Sequence, residues 1–425
     1  MREDKKKIYS WAFYDWANSA YSTTVMAGFF PIFFEKFYSN PNDVIQSTYQ
    51  LGLANSISSV FIALVSPLLG AIADRGSAKK KLLIIFAFLG SLMTAALWLV
   101  QKGDWQLAVF FYIIATIGFM AGNIFYDSLL PSVAGREKVD YVSALGYSLG
   151  YLGGGLLFLV NVLMYLNPDW FGIPDSSTAI RISFVSVAIW WIIFTIPIII
   201  FMPEPQIRKN VSLLNAINGG FKQLKETFDN IRKMKIIGTF LIAFWMYEDG
   251  VATIVRMAAK IASSLGFAAG DIITAILMVQ FIGFPAALGY NWFAKKIGTK
   301  NAVLVAIVGY GVITLLGYLM TDITHFYVLA ALIGLFQGGI QSLSRSLFTR
   351  LVPPNKEAEF FGFYNMLGKF AAVVGPILVG WITVLTGNPR AGILSIVVLF
   401  IFGGLLLSRV DFEEGEKIAL EFGKN

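Results

Sequence analysis

Acids, bases and amides recur at helical spacing inside stretches that are otherwise apolar. Asp15, Asn18, Ser19 and Ser22 fall at i, i+3, i+4 and i+7, so they share one face of a helix. Asp249, Thr253, Arg256 and Lys260 form a similar stripe in a later stretch, with Glu248 about 100° away on the same turn. Asn123 aligns with Asp127, and Gln337 aligns with Gln341 and Arg345. A charge held in hydrocarbon costs about 2.5–3.5 kcal/mol, so such residues face a partner or a watery cavity. The chemistry they suit is carriage of a solute or an ion. Coupling that carriage to a gradient needs a group whose charge changes, and the desolvated carboxylates Asp15, Glu248 and Asp249 are the proton-carrier candidates. Asp15, Asn18 and Ser19 also supply oxygens of the kind sodium takes, so both ions stay open. Tyr14, Trp16, Tyr21, Trp245 and Tyr247 are placed to form pocket walls, although aromatics in apolar helices more often pack than bind.

The elements that must position these groups are membrane-spanning helices. The chain has 425 residues, 56% hydrophobic and only 14% charged, about half the charge of a soluble protein. The formal net charge of +7 comes from basic residues between the apolar runs, where the positive-inside rule places them, and not from a nucleic-acid surface. There is no cysteine, hence no disulfide or thiolate chemistry, and the one histidine, His325, cannot build a histidine metal site alone. The apolar pattern predicts helices near 9–37, 48–73, 82–101, 106–131, 140–166, 180–202, 236–262, 271–294, 301–320, 326–350, 358–386 and 391–409. The first is too long for a cleaved signal and is read as a retained span. Lys5–Lys7, Arg75/Lys79–Lys81, Arg136/Lys138, Arg208/Lys209, Lys295/Lys296/Lys300 and Arg350/Lys356 mark alternate loops. That places both termini in the cytoplasm of a multi-pass protein, expected in a prokaryotic plasma membrane.

The chain divides into a six-helix bundle over 1–202, a linker over 203–235 and a second bundle over 236–425. The linker spaces Leu214, Ile217, Phe221, Leu224, Phe228 and Ile231 at helical intervals among lysines, the pattern of an amphipathic helix lying on an anionic membrane surface. The halves echo each other: Phe13-Tyr14-Asp15 parallels Met246-Tyr247-Glu248, and the segment from Asp127 to Gly155 parallels that from Arg345 to Gly375. Two parallel repeats are an arrangement of secondary transporters.

Gly70-Ala-Ile-Ala-Asp74-Arg75-Gly76, followed by Lys79-Lys80-Lys81, resembles the G-x-x-x-D-R-x-G-r-k signature of the major facilitator superfamily. Glycine lets two helices approach closely, and an acid there meets the positive N-terminus of a neighbour. The resemblance implies that Gly70, Asp74, Arg75 and Gly76 form a conformational latch against an eleventh helix starting near Glu357. The second-half counterpart, Lys295-Lys296-Ile297-Gly298, has lysine where the acid should stand. Trp11 to Tyr21, Gly339 to Ser346 and Phe360 to Asn365 resemble the vacuole-effluxer branch, whose eukaryotic members are associated with amino-acid release. The superfamily implies that helices 1, 4, 7 and 10 line a cavity while 3, 6, 9 and 12 face lipid. The charge-free centres of every third span agree with that.

These features together predict an all-α membrane protein of twelve helices in two pseudo-symmetric bundles, a secondary transporter working by alternating access. Its expected partners are a small polar solute, by resemblance an amino acid, with a proton as coupling ion and membrane lipid around it. It is expected to be monomeric, to bind no nucleic acid and to need no metal or cofactor. It is not expected to be an enzyme, since no phosphate loop, thiol or metal cluster is present. Asp15, Asn18, Ser19, Glu248, Asp249, Thr253, Arg256 and Gln341 are the path candidates, with Tyr14, Tyr21, Trp245 and Tyr247 as pocket aromatics. Asn123, Asp127, Arg345, Asn365 and Lys369 are gate candidates, Asp127 and Arg345 because they lie near the cytoplasmic ends of their helices. A cation-coupled sugar symporter is the nearer alternative, and a non-transporting membrane sensor or scaffold the more distant one.

Overall fold

Helices account for nearly all of the computed structural model, which describes residues 5–40, 42–205, 234–370, 374–387 and 389–422. The amphipathic linker helix expected within 203–235 falls on 206–233, outside the described residues. The first half comprises α1 (Lys5–Ala20), α2 (Val44–Gly76), α3 (Lys79–Ala96), α4 (Trp105–Val133), α5 (Val139–Leu166) and α6 (Ser176–Phe201). The second comprises α7 (Lys235–Ser264), α8 (Ala269–Ile297), α9 (Thr299–Tyr318), α10 (Ile323–Leu351), α11a (Glu357–Phe370) with α11b (Val374–Thr386), and α12a (Pro389–Leu394) with α12b (Val397–Ser408).

Ten of these segments are long and apolar enough to cross a membrane on length and composition. The first and seventh complete a set of twelve. Their departures from the simple pattern are where the polar stripes lie. α7 carries its acids at mid-helix, whereas the first span changes winding partway. Beyond Ala20 it runs as π-helix over Tyr21–Phe29, α-helix over Phe30–Phe33 and π-helix again over Phe34–Tyr38. Pro31 has no N–H to give the turn before it, and the Ser22 hydroxyl donates to the Ser19 carbonyl at 3.0 Å. Both weaken the ordinary i to i−4 ladder, Ser22 where it lines the cavity and Pro31 further along the span.

A short helix not anticipated from the sequence, α13 (Phe412–Phe422), follows the last span. It packs against α10 and α7, with Gly415 against Leu351 and Ile236. Eleven residues with three acids near the start carry too little apolar signal to stand out beside a membrane span.

Three membrane-spanning helices are capped by the aspartate that precedes them. Asp43 accepts from Gln46 N–H at 2.9 Å, Asp175 from Thr178 N–H at 2.8 Å, and Asp322 from Thr324 and His325 N–H at 2.9 and 3.1 Å. All three lie at the end of the bundle away from the basic loops. Each satisfies backbone donors that a helix start leaves without partners.

The halves meet along two symmetric seams, α2 against α11a and α5 against α8, with α4 and α10 between them. Phe88 and Leu92 on α3, Ile189 and Ile193 on α6, Val308 and Val312 on α9, and Ile401 and Leu405 on α12b are exposed at the outside of the bundle. Those are the spans whose centres lack charge.

A charged central cavity closed at one end

At the basic-loop end, α10 delivers Arg345 into a socket made by the other half. The guanidinium is 2% exposed. Its Nη1 donates to Asp127 Oδ1 at 3.0 Å, its Nε to Ser143 Oγ at 2.9 Å, and its Nη2 to the Ser143 carbonyl at 2.9 Å. Asp15 Oδ2 stands 3.9 Å from Nη1. The rings of Trp11, Tyr126 and Tyr147 lie 4.9, 5.2 and 4.2 Å from the guanidinium carbon, a range in which a ring face attracts a cation. One arginine of the second half is thus held by α1, α4 and α5 of the first. Asn365 on α11a adds a bond to Asp127 Oδ2 at 3.2 Å.

Asp15 is shared as well. Its Oδ1 accepts from Ser19 Oγ at 3.1 Å and its Oδ2 from the Tyr126 hydroxyl at 3.2 Å. α5 reaches this pair because Gly150 has no side chain: a Cβ there would lie 2.8 Å from Asp15 Oδ1 and 2.7 Å from Ser19 Oγ. Asn18 donates to Asn123 Oδ1 at 2.6 Å, tying α1 to α4 within the first half.

Above this socket lies a central cavity of about 320 Å³. Asp15, Asn18, Ser19 and Asn123 line it from the first half. Glu248, Gln341, Arg345, Asn365 and Lys369 line it from the second. Tyr151 on α5 donates to Gln341 Oε1 across the cavity at 2.9 Å. Glu248 and Lys369 face this space without a hydrogen bond or ion pair to any described side chain, and each electrostatically feels the other.

A second, largely apolar cavity of about 470 Å³ continues toward the opposite end of the bundle. Ser22, Thr23, Gln280 and Gln337 border both spaces. Between them Gln280 donates to Thr23 Oγ1 at 2.6 Å, a buried bond from α8 to the π-helical part of the first span.

Two groups of candidates sit elsewhere than their sequence stripe suggested. Asp249 is 1% exposed and turns toward α11b, accepting from Gly375 N–H at 2.9 Å and from Thr253 Oγ1 at 3.4 Å. Neither Asp249 nor Thr253 lines the central cavity. Arg256 is exposed and lines the second cavity. The reason is rotation: adjacent residues differ by about 100° on a helix, so turning Glu248 into the cavity turns Asp249 out. The four pocket aromatics follow the same rule. The Tyr14 ring packs on Tyr126 at 5.3 Å, the Tyr21 hydroxyl meets Thr116 Oγ1 at 2.8 Å, and the Tyr247 hydroxyl meets Ser344 Oγ at 2.7 Å. None of these three, nor Trp245, lines the central cavity. Its rings are Phe119, Tyr126, Tyr147, Tyr151, Phe244 and Tyr364.

Ser143, Tyr147 and Tyr151 were missed by sequence reasoning, yet a signal was there. They stand at i, i+4 and i+8, a polar stripe on α5 beside its glycine row. Gln280 gave no comparable signal, being a lone amide in an apolar run.

The geometry around the latch candidates is equally specific. Asp74 at the end of α2 accepts from the first backbone donors of α11a, Ala358 N–H at 3.1 Å and Glu359 N–H at 2.8 Å. Lys79 Nζ sits 2.9 Å from Asp74 and 2.6 Å from Glu357. At Gly70 a Cβ would come within 2.1 Å of the Ala358 carbonyl oxygen, so only glycine allows this approach. Arg75 and Gly76 close α2, and Ser77 takes the left-handed conformation that ends it.

Two six-helix bundles joined at one end and enclosing a charged central cavity define a membrane transporter of the major facilitator superfamily. A family model described as vacuole effluxer Atg22 like matches residues 3–420, and the chain belongs to that family. It is 35% identical to an uncharacterised MFS-type transporter of Bacillus subtilis, YxiO, over 99% of this chain and 98% of that one. It is 25% identical to autophagy-related protein 22 of Yarrowia lipolytica, over 86% of this chain and 76% of the relative. Among solved structures, the proton:xylose symporter XylE superposes with a TM-score of 0.73 at 13% identity, covering 97% of this chain and 98% of that chain.

Proposed function

We propose that the protein is a secondary active transporter that moves amino-acid zwitterions by alternating access, with a proton as the coupling ion. The observation that carries this reading is the pair Glu248 and Lys369. Two opposite charges from α7 and α11a face the cavity without direct partners, while Arg345 is fully engaged by Asp127 and Ser143. A solute bearing both an ammonium and a carboxylate supplies what each lacks. The six rings of the cavity would hold its side chain. The family's description as a vacuole effluxer supports export as direction.

In this reading Asp15, Asn18, Ser19, Glu248, Gln341 and Lys369 form the solute and ion path, and Asp15 carries the proton. Asn123, Asp127, Arg345 and Asn365 form the gate at the basic-loop end, and Gly70, Asp74, Arg75 and Gly76 the latch below it. The basic loops support a cytoplasmic location for that end and both termini, and on that orientation the state described is closed inward. The near full-length bacterial relative supports a prokaryotic plasma membrane.

A second reading, a cation-coupled sugar symporter, is favoured by the amides Asn18, Gln280, Gln337, Gln341 and Asn365 along the cavity. A thermal-stabilisation screen of the purified protein separates the two, since a ligand that binds only the folded state raises the melting temperature with the logarithm of its concentration over Kd. Amino acids, sugars and organic acids are compared at two pH values, with and without sodium. Stabilisation by zwitterions that weakens about tenfold or more in Kd, about 1.4 kcal/mol, for Lys369→Met and Glu248→Gln supports the proposal. Stabilisation by sugars alone overturns it.

A further inference from the structure

The first-half latch works because Asp74 reaches across to the start of a helix in the other half. Pseudo-symmetry puts its counterpart at the turn from α8 to α9, against α5, where the sequence has Lys295 and Lys296 and no acid. The structure holds an acid at that junction all the same, on the opposite partner. Asp140, the second residue of α5, accepts from Thr299 Oγ1 at 2.7 Å, from Arg350 Nη2 at 2.8 Å and from the Ser346 hydroxyl. Thr299 opens α9, and the other two donors stand one turn apart on α10.

An aspartate in the first turn of a helix ordinarily serves its own helix by accepting from free backbone N–H groups. Asp140 does not. Among the described residues, every hydrogen bond its carboxylate accepts comes from the other half. Those donors sit on two elements, so the contact is lost if the second bundle tilts as a body. Its side chain and that of Arg350 are 17% and 26% exposed, shielded enough to keep a charged bond and close enough to the surface to let water replace it.

We propose that Asp140 is the anchor of a second inter-half latch, wired with the acid on the first half, and that it sets how much of the protein is closed at the basic-loop end. The inference rests on the alternating-access reading. Asp140 touches no solute; it is a positioning residue. The two latches then share one polarity. In both, an acid of the first half (Asp74, Asp140) holds donors of the second, so a single movement of the second bundle releases both.

The absence of cysteine allows a clean test with single thiols. Ser342→Cys reports the basic-loop end, because Ser342 is buried at the seam between α5 and α10. Ala27→Cys reports the opposite end, because Ala27 is exposed and lines the second cavity. Asp140→Ala is expected to raise the labelling rate at position 342 by about tenfold with a matching fall at position 27, with Asp140→Asn intermediate. Arg350→Ala should shift both reporters the same way, and Asp140→Arg combined with Arg350→Asp should return them toward the parent rates. Unchanged rates at both positions overturn the proposal, as does a rise at 342 with no fall at 27, which is local loosening. Arg345→Ala serves as the control for the underlying reading. If it shifts the two reporters reciprocally while Asp140→Ala does not, only the latch falls. If neither variant shifts them, alternating access itself is wrong for this chain.

Discussion

Arg345 concentrates the energetics of the closed end. Removing it leaves Asp15 and Asp127 buried without their cation, and breaking a buried pair this way costs roughly 3–5 kcal/mol. Arg345→Ala is therefore expected to lower the melting temperature of the purified protein. Arg345→Lys should not rescue it, because one ammonium cannot replace a planar fork that serves Asp127 and both oxygens of Ser143. Neighbours in sequence give the sharper contrast. Glu248→Gln should impair solute binding, while Asp249→Asn should leave binding intact and destabilise the packing of α7 on α11b, since Asp249 accepts from Gly375 N–H. Equal losses of binding in the two variants would show that Asp249 also reaches the solute. Charge type and depth single out Asp15, Asp127 and Arg345 in the sequence. What spacing could not supply was the rotation of α7, and with it the choice between two adjacent acids.

Two kinds of helix cap in this protein differ in which half supplies them. At the end away from the basic loops, α2, α6 and α10 are capped by the residue that precedes them. At the basic-loop end, α11a takes its cap from Asp74 of the other half. Local caps persist through a conformational cycle, whereas a borrowed cap is exchanged for water whenever the halves part. The local caps Asp175 and Asp322 are held below the ordinary carboxylate value of 3.8, chiefly by the backbone N–H groups they accept from. A lowered folded-state pKa contributes stability that is complete above 3.8 and lost as pH falls through the lower value. Acid titration of the melting temperature should show that loss only at the acid end, and Asp175→Asn should reduce it. The borrowed cap depends on Gly70. Gly70→Val would drive side-chain atoms into the Ala358 carbonyl, so thiol labelling at position 342 is expected to rise and labelling at position 27 to fall. The α2 motif could be read from its spacing. α13 and the π-helical first span could not, because eleven weakly apolar residues and a change of winding leave no periodic trace.

On the scale of the whole molecule, charges inside spans 1, 4, 7, 10 and 11 mark helices around the cavity, and the charge-free centres of spans 3, 6, 9 and 12 mark those outside. The structure adds α5 and α8 to the cavity wall through Tyr147 and Gln280. α5 was hidden by glycines that read as packing, and they are packing, but its tyrosines face the cavity. If the basic loops are cytoplasmic, tags at the N- and C-termini should both be reached from the cytoplasmic side and neither from outside. Detection of one on each side would refute the even number of crossings.

Arg345 belongs to the second bundle and the two carboxylates around it to the first. In the proposed alternating-access cycle, opening of the basic-loop end would carry it away with its own bundle. Asp15 and Asp127 then form one wall of the cleft, while Arg345, Lys369 and Glu248 leave the facing wall with an excess of one positive charge. The opened cleft becomes a pair of oppositely charged plates. On the proposed function, a zwitterionic solute entering it would be turned by that field before it touched any single residue.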